Sequence, residues 1–439
     1  MDHQTCSQEL IKTIAASPSA FHAVDTVVRR LEAAGFMALS ENDTWTLEPG
    51  GSYFTTRNGS SLIAFKLGSS LDNYHFQMSA AHTDSPTFKL KSQPALSGPD
   101  GVLRLNVEAY GGMIDYTWLD RPLSLAGRVM VEKDGAIETR LLSIDRDLLL
   151  IPSVAVHMNR DVNQGYAFNR QVDLCPLFSV GELSAEDIDR LIADELSVTP
   201  EQILAHDLVL VNRQPGCVWG AAKEFVSAPK LDDLQCVFAS LEALLASDNP
   251  HAVTVCALFD NEEVGSGSKQ GALSTLLRDT LARVNAALGK GEQDLLAALA
   301  GSFMVSCDNA HAVHPNHPEL ADEKNRPQLN AGVVIKEHAG QLYTTDALSR
   351  AVFESICRGA NVPTQTFANR SDKRGGSTLG NLSNRQVSVH SVDIGLPQLA
   401  MHSAYETAGS HDTAWAIEAL KAFFSTDLHI DGSSRVTLR

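Results

Sequence analysis

The spacing of apolar residues changes character twice along the chain. The stretch 17–35 opens with Ser17-Pro18, an N-cap with proline at the first helical position. It carries Val24, Val28 and Leu31 at helical spacing and stops at Gly35. The stretches 61–67 and 75–81 lose that period and read as strands, the second running into Ala81-His82-Thr83-Asp84-Ser85-Pro86. From about 91 to 220 the pattern is β-rich and turn-rich. Val129-Met130-Val131 and Ile137-Glu138-Thr139 flank Lys133-Asp134-Gly135, a hairpin signal. Only 184–205 reads as helical there, with Ser184 and Asp187 at the spacing of a capping box. From about 230 helical and strand patterns alternate again. The stretch 232–245 places Leu234, Phe238, Leu241 and Leu245 on one helical face. Short apolar strands are expected over 251–259, 303–307, 332–335 and 387–394, and a closing helix over 404–424.

This pattern predicts an α/β fold, a sheet domain from 1–90 and 225–439 interrupted by a β-rich insert over 91–224. The insert is of ordinary domain size. Its ends belong to one sheet domain and so lie close together; an oligomerisation element is expected, with a lid as a close alternative. No internal repeat, low-complexity segment or heptad run is present.

Composition narrows the function. Of 439 residues 44% are hydrophobic, and 53 acidic side chains against 35 basic ones give a net charge of −18. That excess repels phosphate backbones and anionic lipid, so nucleic-acid and membrane partners are not expected. The polar opening Met-Asp-His-Gln-Thr-Cys predicts neither a secretory signal nor a transmembrane span. Seven scattered cysteines, with no CxxC pair, read as reduced thiols in a cytoplasmic protein.

The chemistry concentrates where buried strands should end. His82 and Asp84 follow one strand, Glu262 and Glu263 another, Asp308 a third; Asp232 opens a helix and His402 follows Leu399-Ala400-Met401. Ligands of open α/β sheets bind outside the carboxyl ends of strands. Two imidazoles with several carboxylates and no cysteine suit Zn²⁺, Mn²⁺ or Co²⁺. Five candidate ligands are too many for one catalytic ion, but two ions sharing a carboxylate would use them all. Taken singly, each residue has a plainer reading. A histidine at a strand end is usually a satisfied polar group, and Asp232-Asp233 before an apolar run is usually acid complementing a helix dipole.

Together, however, the motifs are recognisable. His82-Thr83-Asp84-Ser85-Pro86, Lys230-Leu231-Asp232-Asp233-Leu234, Asp260-Asn261-Glu262-Glu263-Val264-Gly265-Ser266, Asp308-Asn309-Ala310-His311-Ala312-Val313-His314-Pro315-Asn316 and Leu396-Pro397-Gln398-Leu399-Ala400-Met401-His402-Ser403 resemble, in order, those of the M18 metallopeptidases, the aspartyl aminopeptidases. The resemblance runs from Ser17 to the closing helix. It implies a metallopeptidase-type mixed sheet sandwiched by helices, with the insert serving oligomerisation. It also implies two divalent ions per chain, zinc first, with cobalt or manganese as alternatives. His82 and Asp308 would hold one ion, Glu263 and His402 the other, and Asp232 both. Asp84 would orient His82, and Glu262 would be the general base.

The resemblance further implies peptide substrates with a free N-terminus, a preference for N-terminal Asp or Glu received by Lys336, and a homo-oligomer, a dodecamer in the family. His157 resembles an insert histidine that reaches a neighbouring subunit's site; a structural strand residue is the equal alternative. One departure is Lys373-Arg374, which stands where apolar or small residues are expected before the glycines. That charge either strengthens acidic selectivity or faces solvent. Two other functions stay open on the sequence: a different two-metal amidohydrolase, such as a deacylase or dipeptidase, and a non-catalytic assembling scaffold.

Overall fold

Four apolar runs form the centre of the molecule. The structure, a computed structural model, describes residues 2–439. The strands Val253–Phe259, Phe76–His82, Phe303–Cys307 and His390–Gly395 lie side by side, all parallel. Every residue of the first three is buried. Helices cover both faces, and a strand buried on both sides reads as a continuous apolar run. Alternate residues still enter different cores: Cys256 and Leu258 pack in one, Val253, Val255, Ala257 and Phe259 in the other.

Ser61–Leu67, Ser52–Arg57 and Met37–Ala38 extend this sheet on one side; Val333–Glu337 and Thr364–Ala368 extend it on the other, giving nine strands in mixed orientation. The helices His3–Ala15, Ala20–Ala33, Leu231–Ala246, Ala347–Gly359 and Asp412–Ser425 contribute to one core. Leu276–Ala287, Glu292–Ala300 and Leu379–Ser383 contribute to the other. The predicted α/β class, a mixed sheet between helix layers, is the architecture observed.

A second, antiparallel sheet is ordered Ala136–Ser143, Leu123–Lys133, Ile203–Asn212, Thr87–Ser97, Val102–Tyr110, Leu177–Val180, and has its own apolar core around Phe88, Leu125, Val129 and Leu208. The predicted hairpin is its edge. Asp134 and Gly135 both have positive φ, 51° and 78°, which a two-residue turn between twisted strands requires. A third, five-stranded sheet joins Cys217–Trp219, Phe225–Ala228, Glu406–Gly409, Pro397–Leu399 and Ala310–His311.

Three sequence expectations differ from the structure. The helix expected from Ser17 runs Ala20–Ala33 and is capped by Ser19. The helix expected over 184–205 ends at Leu196, because Ser197 turns left-handed (φ 54°) and the apolar residues from Ile203 form a strand. The closing helix begins at Asp412, since Glu406–Gly409 pairs in the third sheet. Six of the seven free cysteines are buried, and no helix among the described residues is long and apolar enough to cross a membrane.

Candidate metal centre

The parallel strands point their carboxyl ends at one spot. His82 is the last residue of its strand, and Asp308 follows Cys307 directly. Glu262 and Glu263 occupy the short 3-10 turn Glu262–Val264 just after Val253–Phe259. Asp232 lies in the first turn of Leu231–Ala246 with non-helical backbone, which turns its carboxylate out of the helix line. His402 arrives from the third sheet, on a tight turn where its own φ is 67°.

Asp232 is the hinge of the arrangement. Its Oδ1 stands 3.4 Å from His82 Nε2 and its Oδ2 3.5 Å from His402 Nε2, so one carboxylate faces both imidazoles. Glu263 Oε2 lies 3.3 Å from the same His402 nitrogen. Donor atoms of His82, Asp232, Asp233 and Asp308 all fall within 4.8 Å of one another, as do those of Asp232, Glu263 and His402. His82, Glu262 and Glu263 form a third such group.

The imidazoles are held by groups behind them. His82 Nδ1 meets the main-chain oxygen of Asp84 at 3.0 Å, and His402 Nδ1 meets that of Gly112 at 2.7 Å. Each Nε2 therefore faces the cluster, the disposition of a metal-ligating histidine. The Asp84 carboxylate, whose Oδ1 lies 3.4 Å from His82 Nδ1, does further work. It accepts the backbone N–H groups of Glu262 (3.1 Å) and Glu263 (3.2 Å) and the Tyr110 hydroxyl (2.6 Å), and so pins the turn that carries both glutamates.

So many buried acids disturb one another. Burial first, then Asp308, Asp84 and Asp232, push the Glu262 carboxyl up to about 8. Burial and Asp232 raise Glu263 well above the usual range. Burial opposes charge on His402, yet Asp232 and Glu263 lift it to about 10. Burial likewise opposes charge on His82, and Asp233, Asp232 and Asp84 raise it well above an ordinary imidazole. Asp232 keeps its charge against burial because His402 and His82 flank it. The site thus gathers more carboxylates than its imidazoles can neutralise. Asp232 Oδ1, Asp233 Oδ1 and Glu263 Oε1 are buried and have no hydrogen-bond donor among the described residues. Buried acceptors of this kind are costly unless paired, and the His/carboxylate donors suit a divalent ion such as zinc. The residues present fit such a group.

Lys336 shares the cavity, of about 190 Å³, with His82, Asp232, Glu262, Asp308 and His402. Its ammonium is buried, 3.5 Å from Asp308 Oδ1 and 5.6 Å from the centre of the Tyr343 ring. Burial opposes its charge, but Asp308, Tyr343, Asp393 and Asp232 keep it protonated. His157 is elsewhere: it sits on an exposed turn and does not line this cavity. Of the departing pair, Lys373 lines a neighbouring cavity and Arg374 lines neither.

Three residues support the site in ways the sequence does not announce. Glu406, fully buried, accepts the backbone N–H groups of Asp232 (2.9 Å) and His402 (2.7 Å), tying two of the converging segments together. Asp233 accepts the His82 backbone N–H at 3.1 Å. Asn309 donates to Leu231 O and to the side chains of Gln235 and Gln398. The four residues Glu406-Thr407-Ala408-Gly409 carry no apolar/polar alternation and merge with the apolar helix that follows.

Known proteins resemble this chain in sequence and fold. The family model for aminopeptidase I zinc metalloprotease (M18) matches residues 13–424. A probable M18 family aminopeptidase 2 of Clostridium novyi (strain NT) is 44% identical over 425 residues, 95% of this chain and 98% of that one. Its counterpart in Pseudomonas fluorescens (strain SBW25) is 41% identical over 432 residues, 96% and 99% of the two chains. Among solved structures, the cryo-EM structure of the Ape4 and Nbr1 complex matches with a TM-score of 0.93 at 37% identity, covering 96% of this chain and 86% of that one. The S. cerevisiae mApe1 dodecamer matches with a TM-score of 0.84 at 27% identity, covering 97% of each chain. With the match running through every segment that converges on Asp232, the chain belongs to the M18 family of zinc metalloproteases and is a metalloaminopeptidase.

Proposed function

We propose that this chain is a two-ion aminopeptidase that removes N-terminal Asp or Glu from peptides. The observation that carries the reading is the Asp232 carboxylate, which presents one oxygen toward His82 and the other toward His402. His82 and Asp308 would complete one ion's ligands, and Glu263 and His402 the other's. Zinc is the first choice, and cobalt or manganese suits the same donors. Divalent ions bound there supply Lewis acidity, polarising the scissile carbonyl and acidifying water for attack near neutral pH.

The remaining steps belong to the protein. Glu262, lining the cavity beside His82 and Asp308, takes the proton of the attacking water and delivers it to the departing amine. Asp84 holds the Glu262 and Glu263 backbone N–H groups, so the base keeps its position relative to the ligands. Among the described residues the Lys336 ammonium makes no side-chain hydrogen bond, its nearest carboxylate oxygen lying at 3.5 Å. A buried cation in that state is completed by the side-chain carboxylate of an N-terminal Asp or Glu.

The residues 91–224 would serve assembly, into a dodecamer like that of the mApe1 relative. The exposed Val154, Val156 and Met158 around His157 give that insert an apolar surface suited to a second copy. His157 would then act at a neighbouring subunit's site.

The test is hydrolysis of Asp-, Glu-, Ala- and Leu-anilides, free and N-acetylated, by metal-loaded wild type and Glu262→Gln. Free acidic substrates should be cleaved fastest and acetylated ones not at all. Glu262→Gln should lower turnover by about 10²–10⁴-fold. Near-normal turnover in that variant removes Glu262 as the base, and cleavage of acetylated substrates would point to a deacylase.

A further inference from the structure

The metal cavity has a neighbour. A second cavity of about 290 Å³ shares His311, Phe367 and Met401 with it as a common wall. The cavities of about 360 Å³ and 660 Å³ elsewhere have no lining residue in common with the metal cavity. One segment lines both spaces: Arg370 and Lys373 line the second, whereas Gly376, Ser377 and Thr378 line the first.

The charges of the second cavity are unevenly matched. The Arg370 guanidinium is taken up by Asp372, at 2.8 and 2.9 Å. Asp322 is engaged by the backbone N–H groups of Lys324 and Asn325 and by the Asn325 side chain. Lys373 uses only its backbone, donating to Arg370 O; its ammonium has no carboxylate or hydrogen-bond partner among the described residues. The exposed Lys373 ammonium, an unmatched cation, therefore lines a space that adjoins the metal cavity across that wall.

An enzyme that seats one terminal residue must let the rest of the chain run out past it. An extended peptide advances about 3.3 Å per residue, so the second and third residues are the first to pass the shared wall. Building on the aminopeptidase reading above, we propose that the second cavity receives those residues and that Lys373 selects a carboxylate side chain among them. Preferred substrates then carry an acidic N-terminus followed closely by a second acidic residue.

The experiment compares four tetrapeptides with zinc-, cobalt- or manganese-loaded protein: Asp-Glu-Ala-Ala, Asp-Lys-Ala-Ala, Asp-Ala-Glu-Ala and Asp-Ala-Lys-Ala. The readout is the kcat/KM ratio of the Glu to the Lys peptide at each position, which cancels any change in overall activity. Wild type should favour Glu about five-fold at one position or both, the scale of one partly exposed charge pair. Lys373→Ala should bring that ratio near one, and Lys373→Glu should invert it. A wild-type ratio near one, or an unchanged ratio in both variants, overturns the role of Lys373 while leaving the aminopeptidase reading intact. Failure of the wild type to cleave any of the four overturns the aminopeptidase reading itself.

Discussion

Asp232 shows how much of a site can rest on one side chain and its supports. Its two oxygens face different histidines, and its backbone N–H is held by Glu406. Glu406 also accepts the His402 backbone N–H, so Glu406→Ala leaves two buried donors unpaired at once. That variant should lower zinc affinity by about 10–100-fold, the usual effect of losing a group behind the ligands. Competition with a chelator of known affinity checks it; an unchanged dissociation constant would make Glu406 a purely structural acid. Lys336 is tested differently. Lys336→Ala should raise KM for Asp-anilide about ten-fold or more relative to Ala-anilide, because only the acidic substrate meets the ammonium. An equal change for both substrates would place Lys336 outside specificity.

At the scale of elements, the site depends on strands that approach unusually closely. A Cβ on Gly395 would lie 2.1 Å from the main-chain oxygen of Asp308 and 2.9 Å from Lys336 Cε. Gly395→Ala must therefore push apart the strand ends that carry a proposed ligand and the proposed specificity lysine. A loss of about 1–3 kcal/mol in denaturant unfolding is expected, together with weaker metal binding. Wild-type stability and metal content would show that the strand ends yield freely.

The same elements show what the sequence could and could not reveal. Phe76–His82, Val253–Phe259 and Phe303–Cys307 are apolar runs that stop at acids or histidine, and buried strands announce themselves that way. Glu406 was hidden because a four-residue strand leads into the long apolar helix Asp412–Ser425, and the two read as one helical pattern. Tyr110 and Gly112 come from the chain between the halves of the nine-stranded sheet. Nothing local to them points to Asp84 or His402, since their contacts arise only from how two sheets are placed.

Across the whole molecule, charge acts locally and not through its total. A net charge of −18 repels polyanions at long range, yet Lys336 and Lys373 line adjoining cavities where an anionic peptide can be met. Stability carries a separate pH signature at His22, whose Nδ1 lies 2.8 Å from Ser19 Oγ. Burial, aided by Lys230 and Arg29 against the pull of Asp25, pushes this imidazole down to about 4. The unfolded chain takes up the same proton near pH 6.5. The contribution to folding is thus complete above that pH and is lost on acidification, at up to about 1.4 kcal/mol per unit until about pH 4. Thermal unfolding of His22→Gln should fall less steeply than wild type between pH 6.5 and 4.5. Equal slopes would place the acid sensitivity elsewhere.

On the proposed function, Asp232 joins two ion sites within one chain. The most direct test is the number of zinc equivalents retained per chain after metal loading and desalting, measured by elemental mass spectrometry. Two equivalents are predicted for the wild type. One equivalent or none would contradict the account.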